Sequence, residues 1–455
     1  MKLVEALRAE RRLRLAIVGA GGKTSTMFAL ARQFSPPVII AATAHLALDQ
    51  VKMADRHFMV NKPKDAERSL SNLRSEEVAL FTGPVGQRDR TSGVDYDTMD
   101  FLRQAAELRN CPLIIEADGA RRLALKAPAA HEPPVPPWVN HVLVVAGLSA
   151  LGKQLGEKTV FRAEVFSNLS GISIGKPISL EGIVNYLTAP DGGLKNVPAS
   201  AERSIFFNQA DLIDIDYYAW EKYSRRLLSG YQRVLIGSAA SQGGLTGDVF
   251  LRFEKVTGIV LAAGESSRLG TPKQILPWHG KPLIWHVVTR AIAAGLDAVV
   301  VVVGAITDEI YHALEGLDIQ IVNNTDWKTG QSSSIKAGLR NLTDPGAAVF
   351  FTSDKPQVDP ELVRALVAVH RREGVKIIGP RVNDQRTNPV LFDRDCFHDL
   401  LNLKGDTGGR MLFEKFPVRW VAWHDSDLLL DIDTIDDYDN LLRMKSNQDK
   451  NEPKD

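Results

Sequence analysis

Two cysteines in 455 residues, Cys111 and Cys396, are too few and too far apart for a disulfide framework or a Cys-x-x-Cys metal site. Both read as small core residues. Long apolar runs are also missing. None approaches the roughly 20 residues that span a bilayer, and Met1 to Arg14 is charged, with no signal-peptide core. Net charge is absent too: 55 Lys plus Arg balance 55 Asp plus Glu, so no general attraction to nucleic acid or membrane is expected. Any anion site must be local. A globular cytoplasmic protein of two or more domains is expected.

What is present is two glycine loops, each at the end of an apolar strand. Leu13 to Val18 runs into Gly19-Ala-Gly21-Gly22-Lys23-Thr24-Ser25, and helical periodicity follows at once. Strand, glycine loop, Lys-Thr and helix is the P-loop arrangement, in which amides at a helix N-terminus hold phosphates. Ile17 stands where the full Gly-x-x-x-x-Gly-Lys pattern has glycine, so the loop is a short variant. Lys23 and Thr24 are nonetheless placed to meet a phosphate and Mg²⁺. Pro112 to Ile115 delivers Glu116 and Asp118 at a strand's carboxyl edge, suited to Mg²⁺ or its waters or, equally, to a turn before Gly119. Ile205 to Phe207 leads to Asn208-Gln209-Ala210-Asp211, an Asn-x-x-Asp pair like the guanine-reading signature of GTPases, with Gln209 in place of the usual Lys. The proline-dense stretch Leu125 to Pro137 reads as a surface loop crossing one domain. The glycine-rich stretch Ser238 to Gly247 reads as an interdomain joint. Taken together, Gly19 to Ser25, Glu116 to Gly119, Leu125 to Pro136 and Asn208 to Asp211 resemble the YqeC family, a P-loop-like accessory protein of selenium-dependent molybdenum hydroxylases. That resemblance implies ATP or GTP at Gly19, Gly21, Gly22, Lys23, Thr24, Asn208 and Asp211.

The second loop is Leu261-Ala262-Ala263-Gly264-Glu-Ser-Ser-Arg268-Leu-Gly270-Thr-Pro-Lys273. Its small residues let an anion approach the main chain, and Arg268 and Lys273 add fixed charge. An ordinary βα turn with two solvated basic residues is the plain alternative. Strands at 297–303, 319–322, 347–351 and 375–378 alternate with helical stretches, which fits a doubly wound α/β sheet with its ligand at the strand ends. Ser332 and Ser333 fall at a helix N-terminus, and Gly330 and Gly338 suit close approach of a base or ribose. Asp354 ends a buried strand. Alternation puts Asp431 and Asp433 on one face of an extended segment, with one of them a second metal ligand.

This half resembles the MocA branch of the MobA-like nucleotidyltransferases, through Leu261 to Lys273, Gly330 to Gly338, Asp354-x-Pro356, Asn388-Pro-Val390 and Asp431 to Thr434. The resemblance implies transfer of CMP from CTP to the terminal phosphate of molybdopterin, with release of pyrophosphate. Ala263 points to CTP, since the guanylyl-transferring branch has Gly-Gly there. On this reading Leu261, Ala262, Ala263, Gly264, Gly270, Ser332, Ser333 and Gly338 hold the nucleotide. Arg268, Lys273 and Asp354 are catalytic, Asp354 and Asp431 bind Mg²⁺, and Asn388 touches the acceptor. Thr387 and Lys355 depart from the family pattern.

The expected architecture is two doubly wound α/β domains: a P-loop-like domain over residues 1–252 and a Rossmann-like MobA-type nucleotidyltransferase domain over 253–445. A disordered tail, 446–455, follows. The expected partners are a nucleotide, a pterin cofactor and a molybdenum hydroxylase apoenzyme of the xanthine dehydrogenase type, without nucleic acid or membrane. The rival readings are a nucleotide-driven chaperone that delivers the finished cofactor, and a nucleotidyltransferase for another phosphorylated acceptor.

Overall fold

The computed structural model describes residues 1–86, 89–265 and 269–448. The chain divides into two compact units, Met1–Phe253 and Glu254–Asp455. Among the described residues no helix is long and apolar enough to cross a membrane.

The first unit is built on nine strands: β1 (Arg14–Gly19), β2 (Val38–Ala42), β3 (Arg56–Met59), β4 (Val78–Thr82), β5 (Leu113–Glu116), β6 (His141–Gly147), β7 (Glu202–Asn208), β8 (Arg233–Ser241) and β9 (Gly244–Phe253). They lie in the order β9-β8-β7-β6-β1-β5-β2-β4-β3. All neighbours are parallel except the β8–β9 hairpin. Parallel strands buried on both faces read as unbroken apolar runs, and the pleat explains why. Ala16 and Val18 of β1 enter one core cluster while Leu15 and Ile17 enter another. Burying one such aliphatic side chain is worth about 1.5–3 kcal/mol. Ile17, at the position where a full P-loop has glycine, belongs to that core.

Central β1 lies between β6 and β5, where the chain's direction of travel across the sheet reverses. That is the switch point at which doubly wound sheets open a crevice at their carboxyl ends. Two sequence expectations change here. Ser238 to Gly247 is not a joint but the tip of the β8–β9 hairpin, where Gly244 (φ +112°) and Gly247 (φ +56°) adopt left-handed backbone. The proline-dense stretch is not wholly a surface loop either: residues 125–128 are buried, and Leu125–Lys126 pair with Val160–Phe161.

The second unit has an eight-stranded sheet: β10 (Val256–Leu261), β11 (Ala298–Val303), β12 (Gln320–Asn323), β13 (Ala347–Thr352), β14 (Ile377–Val382), β15 (Gln385–Arg386), β16 (Val390–Asp393) and β17 (Val418–Ala422). The order is β12-β11-β10-β13-β16-β14-β15, with β17 on β14. The block β12-β11-β10-β13 is parallel; β16 then runs antiparallel to both β13 and β14. Both units are therefore α/β with largely parallel sheets, as the alternation of strands and helices implies. β16 and β17, four and five residues long, carry too little pattern to be read from sequence. The last helix, Ile435–Gln448, enters the stretch expected to be disordered; the remainder lies outside the described residues.

Candidate functional site

In the first unit, the loop after β1 is wedged against β6. Gly19 (φ +94°) and Gly21 (φ +80°) hold left-handed backbone, and a Cβ on either would stand 2.3 Å from backbone atoms of Val145 or Gly147. Only glycine fits. The amides of Ala20 and Gly21 are spent on Val145 O (2.9 Å) and Leu123 O (3.0 Å). The donors left for an anion are thus the first amides of helix Lys23–Ala31, which have no intrahelical acceptor.

Lys23 donates from Nζ to Gly19 O at 2.8 Å and ion-pairs with Asp118 at 3.3 Å and Glu116 at 3.9 Å. Its side chain is 3% exposed. Thr24 Oγ1 donates to Glu116 Oε2 (2.8 Å) and accepts from Gln50 Nε2 (2.9 Å). Burial pushes the Glu116 carboxyl above its ordinary value, against the pull of Lys23 and Thr24. A hydroxyl and a carboxylate side by side are hard oxygen donors that suit Mg²⁺, which keeps several of its waters. These groups line a cavity of 420 Å³ together with Arg90, Arg121, Ser149 and Gln209.

Asn208 and Asp211 do not act alike. Asn208 Nδ2 donates to Gly21 O (2.7 Å), and its Oδ1 accepts from Ala239 N (2.8 Å). It clamps the glycine loop to β8. Asp211 accepts from Ser238 Oγ (2.6 Å) and is not among the residues lining that cavity. Gln209, held in left-handed backbone (φ +65°), lines it instead. Sequence reasoning passed over Gln50 and Arg90, and read Gln209 only as a departure from the GTPase signature. It also stopped two residues short of Arg121, which extending the Glu116–Gly119 block would have reached.

In the second unit the loop after β10 is fixed by Gln274, whose Nε2 donates to Ala262 O (3.2 Å) and Gly264 O (2.7 Å). Ala262 N donates to Val302 O (2.9 Å), and Ala263 O accepts from Ala305 N (3.2 Å). Ala262 and Ala263 are buried, and Gly270 takes φ +71°. Arg268 lies outside the described residues.

Lys273 closes the loop between two carboxylates. Its Nζ reaches Asp354 Oδ2 at 2.9 Å and Asp433 Oδ1 at 2.9 Å, and donates to Ile432 O at 3.1 Å. Burial alone would lower the ammonium's pKa, but Asp354 and Asp433 outweigh it and raise it. Burial likewise works to raise Asp354, yet Lys273 holds that carboxyl below its ordinary value. Among the described residues Asp354 Oδ1 is buried with no hydrogen-bond partner. An orphaned carboxylate oxygen beside a second carboxylate is what a divalent cation would satisfy. Among the described residues no group of three or more His, Cys, Asp or Glu side chains is gathered to hold a metal, so water and ligand oxygens would complete any such shell.

The two aspartates at 431 and 433 part company. Residues 430–433 follow a 3₁₀ turn, Ser426–Leu429, and are not a strand, so alternation does not set their directions. Asp431 pairs with Lys355 at 2.7 Å, while Asp433 joins Lys273 and Asp354. The last helix is capped reciprocally by Thr434, whose Oγ1 accepts from Asp437 N (3.2 Å), and by Asp437, whose Oδ2 accepts from Thr434 N (2.8 Å). The two departures from the family pattern also find physical roles. Lys355, 2% exposed, donates to Leu428 O (2.8 Å), and Thr387 Oγ1 donates to the same carbonyl (3.2 Å). Both tether the 428–433 segment.

Ser332 and Ser333 fall in the first turn of helix Gln331–Arg340, as expected, but the glycines beside them serve packing. A Cβ on Gly338 would stand 2.7 Å from Ile259 of β10, and one on Gly330 2.4 Å from the backbone at Gly405. Helix-to-sheet and chain-to-chain contact account for both glycines without a ligand. Ser333 accepts from Asn324 Nδ2 (2.8 Å), and Ser332 N donates to Gly405 O (3.3 Å). Both serines line a 570 Å³ cavity. Asn388 lines another, of 240 Å³, with Leu261, Phe350, Phe392, Phe413 and Arg410.

Residues 15–164 match the YqeC protein family, and residues 258–420 match the MobA-like NTP transferase domain. Over 200 residues the chain is 32% identical to the uncharacterized protein YqeC of Escherichia coli, covering 43% of this chain and 75% of that protein. It is 30% identical over 216 residues to the purine catabolism protein PucB of Bacillus subtilis, covering 43% of this chain and all of that protein. It is 28% identical over 197 residues to the nicotine blue oxidoreductase of Paenarthrobacter nicotinovorans, covering 41% of this chain and 96% of that protein.

Proposed function

Because the chain belongs to the YqeC family through its first unit and to the MobA-like NTP transferases through its second, we propose that it is a molybdenum cofactor cytidylyltransferase fused to a nucleotide-binding accessory domain. One observation carries this reading: Lys273 is held between Asp354 and Asp433 at the end of a glycine loop. A phosphate monoester attacking an α-phosphorus must overcome anion–anion repulsion. Catalysis is then positioning and neutralisation, without a protein nucleophile. Lys273 stabilises charge on the α-phosphate and departing pyrophosphate, and Arg268 grips the outer phosphates. Asp354 and Asp433 hold Mg²⁺, which would supply charge neutralisation there; Asp431 serves by anchoring its segment to Lys355. Leu261, Ala262, Ala263, Gly264 and Gly270 form the wall against the nucleotide. Ala263, being buried, favours CTP by setting where the backbone stands. The aromatic-walled cavity at Asn388 suits a planar pterin, with Arg410 near its phosphate.

In the first unit Lys23, Thr24 and the helix N-terminus hold the phosphates of ATP or GTP, with Mg²⁺ at Thr24 and Glu116. Asn208 keeps the loop in shape, and Asp211, bonded to Ser238 outside that cavity, takes no part in holding the nucleotide. The client is a molybdenum hydroxylase apoenzyme.

The experiment is pyrophosphate release from each of the four NTPs by the full chain, with and without molybdopterin. CTP-specific release that requires molybdopterin supports the reading. Release with a different phosphorylated acceptor, and none with molybdopterin, moves it to that acceptor. NTP hydrolysis without pyrophosphate release, abolished by Lys23→Ala, supports the delivery chaperone instead. The relative named an oxidoreductase gives one more rival, and no pyrophosphate from any NTP would favour it.

A further inference from the structure

Beside the 420 Å³ cavity of the first unit lies a second one of 340 Å³, and the two share His45, Arg90, Gly119 and Arg121. The nucleotide reading uses only the first. The second is lined by Arg90, Arg121 and Arg162 against two carboxylates, Asp118 and Glu132. Both carboxylates are already matched from behind by Lys126, at 2.7 Å and 2.9 Å, and that lysine is 1% exposed. Arg162 adds a 2.7 Å pair to Glu132, and the carboxyl, which burial would raise, is held down at about 2. Among the described residues neither Arg121 nor Arg90 has such an ion pair, and Arg90 donates only to the His45 carbonyl, at 2.9 Å. Arg121 is exposed and lies 4.6 Å over the Phe161 ring, and Arg162 lies 4.3 Å over that same ring. Arg90 Nε is buried with no hydrogen-bond partner. The backbone is strained where this charge is presented: Arg121 (φ +50°) and Arg162 (φ +62°) both hold left-handed conformations that side-chain-bearing residues rarely adopt. Surplus positive charge in a concave, half-desolvated setting selects an anion.

We propose that this second cavity binds a small anionic compound, bearing carboxylate or phosphate groups, next to the terminal phosphate of the nucleotide. The compartments meet at Asp118 and Lys23, 3.3 Å apart. The first unit is then a two-ligand domain, not a nucleotide switch alone. The proposal rests on the nucleotide reading of the first cavity, and the test separates the two.

The full chain is saturated with Mg²⁺ and a non-hydrolysable ATP or GTP analogue, then titrated calorimetrically with inorganic phosphate and, separately, with citrate. Only binding that depends on Arg121 counts, which removes any contribution from the second unit. Saturable binding of either probe, weakened at least tenfold by Arg121→Ala or Arg121→Glu, is expected; because Arg121 also lines the first cavity, analogue affinity is read on Arg162→Lys, which lines only the second, and should change there less than twofold. Arg162→Lys, which keeps the pair to Glu132, should weaken the same probe. Circular dichroism checks that each variant is folded. Neither probe binding, binding indifferent to Arg121, or competition between probe and analogue overturns the proposal while leaving the nucleotide reading intact. If no analogue binds, the nucleotide reading falls. The same titration on the nucleotide-free chain then decides the anion site, which Arg121-dependent binding keeps and Arg121-independent binding overturns.

Discussion

The two units place a lysine between two carboxylates at the end of a glycine loop, and they differ in the element that comes after it. After Lys23 a nine-residue helix begins at once, so its amides and dipole face the loop. After Lys273 comes a three-residue 3₁₀ turn, and the next helix starts only at Leu283. Side chains must therefore do in the second unit what main-chain amides do in the first. The carboxylates differ in the same sense. Glu116 is pushed toward its protonated form by burial, whereas Asp354 is kept ionised by Lys273. On the proposed function, one loop would cradle phosphates and the other would hold a charged cluster over the reacting bond.

The comparison predicts unequal losses. Lys273→Ala should lower pyrophosphate release about 10²–10³-fold, the cost of removing one transition-state donor, about 3–4 kcal/mol. Unchanged turnover would remove Lys273 from the chemistry. Lys23→Ala should weaken nucleotide binding in the first unit by about 1.5–3 kcal/mol, the worth of a hydrogen bond to a charged group, and leave pyrophosphate release alone. Because Lys23 also matches buried Asp118, a thermal scan must show that this variant folds. A fall in pyrophosphate release would mean that the two sites are not independent.

The aspartates sharpen the second unit further. Asp433→Asn should raise the Mg²⁺ concentration needed for half-maximal activity at least the roughly 10–100-fold seen when groups that only orient a metal ligand are lost. Asp431→Asn, which removes one partner of buried Lys355 but leaves that lysine its bond to Leu428 O, should change it far less than Asp433→Asn does. The reverse ranking would restore Asp431 as the ligand.

pH separates the units as well. Glu116 titrates above its ordinary value, so its carboxylate is incomplete at mildly acid pH, with Lys23, Asp118 and Arg90 the charges facing it. Mg²⁺-nucleotide binding in the first unit should strengthen as pH rises through that raised value, by up to tenfold per unit. Asp354 is held below its ordinary value, so its ionisation should add no such rise to metal dependence in the second unit across the mildly acid range. Glu116→Gln should abolish the slope. A slope that survives it assigns the titration elsewhere.

Much of this was legible in the sequence, for reasons that particular residues make plain. Both loops lie between an apolar strand and a lysine, a local pattern that survives folding, so Gly19 to Thr24 and Leu261 to Lys273 fall at strand ends as read. Alternation, applied to a segment that is not a strand, put Asp431 and Asp433 on one face and could not separate them; Lys355, 76 residues upstream of Asp431 in the chain, pairs with Asp431 and leaves Asp433 to Lys273. Gln50, Arg90 and Arg121 reach the first cavity from three separate segments, and no spacing rule links them. Lys126 sat inside a proline-rich stretch whose composition said surface, while pairing with Val160–Phe161 buried it.

Gly338 is the position where reading and structure diverge most sharply, and it gives the smallest expected effect. In the sequence it suits close approach of a nucleotide; in the fold its missing Cβ makes room for Ile259 at 2.7 Å. Gly338→Ala should cost about 1–3 kcal/mol through overpacking, offset by up to about 1 kcal/mol because alanine is the better helix former. The second unit should therefore unfold at a modestly lower temperature, with KM for CTP unchanged. The same change in a nucleotide wall would do the opposite, raising KM with thermal stability kept or improved by the helix gain. Measuring both quantities on one variant decides between a glycine that serves the sheet and one that serves the ligand.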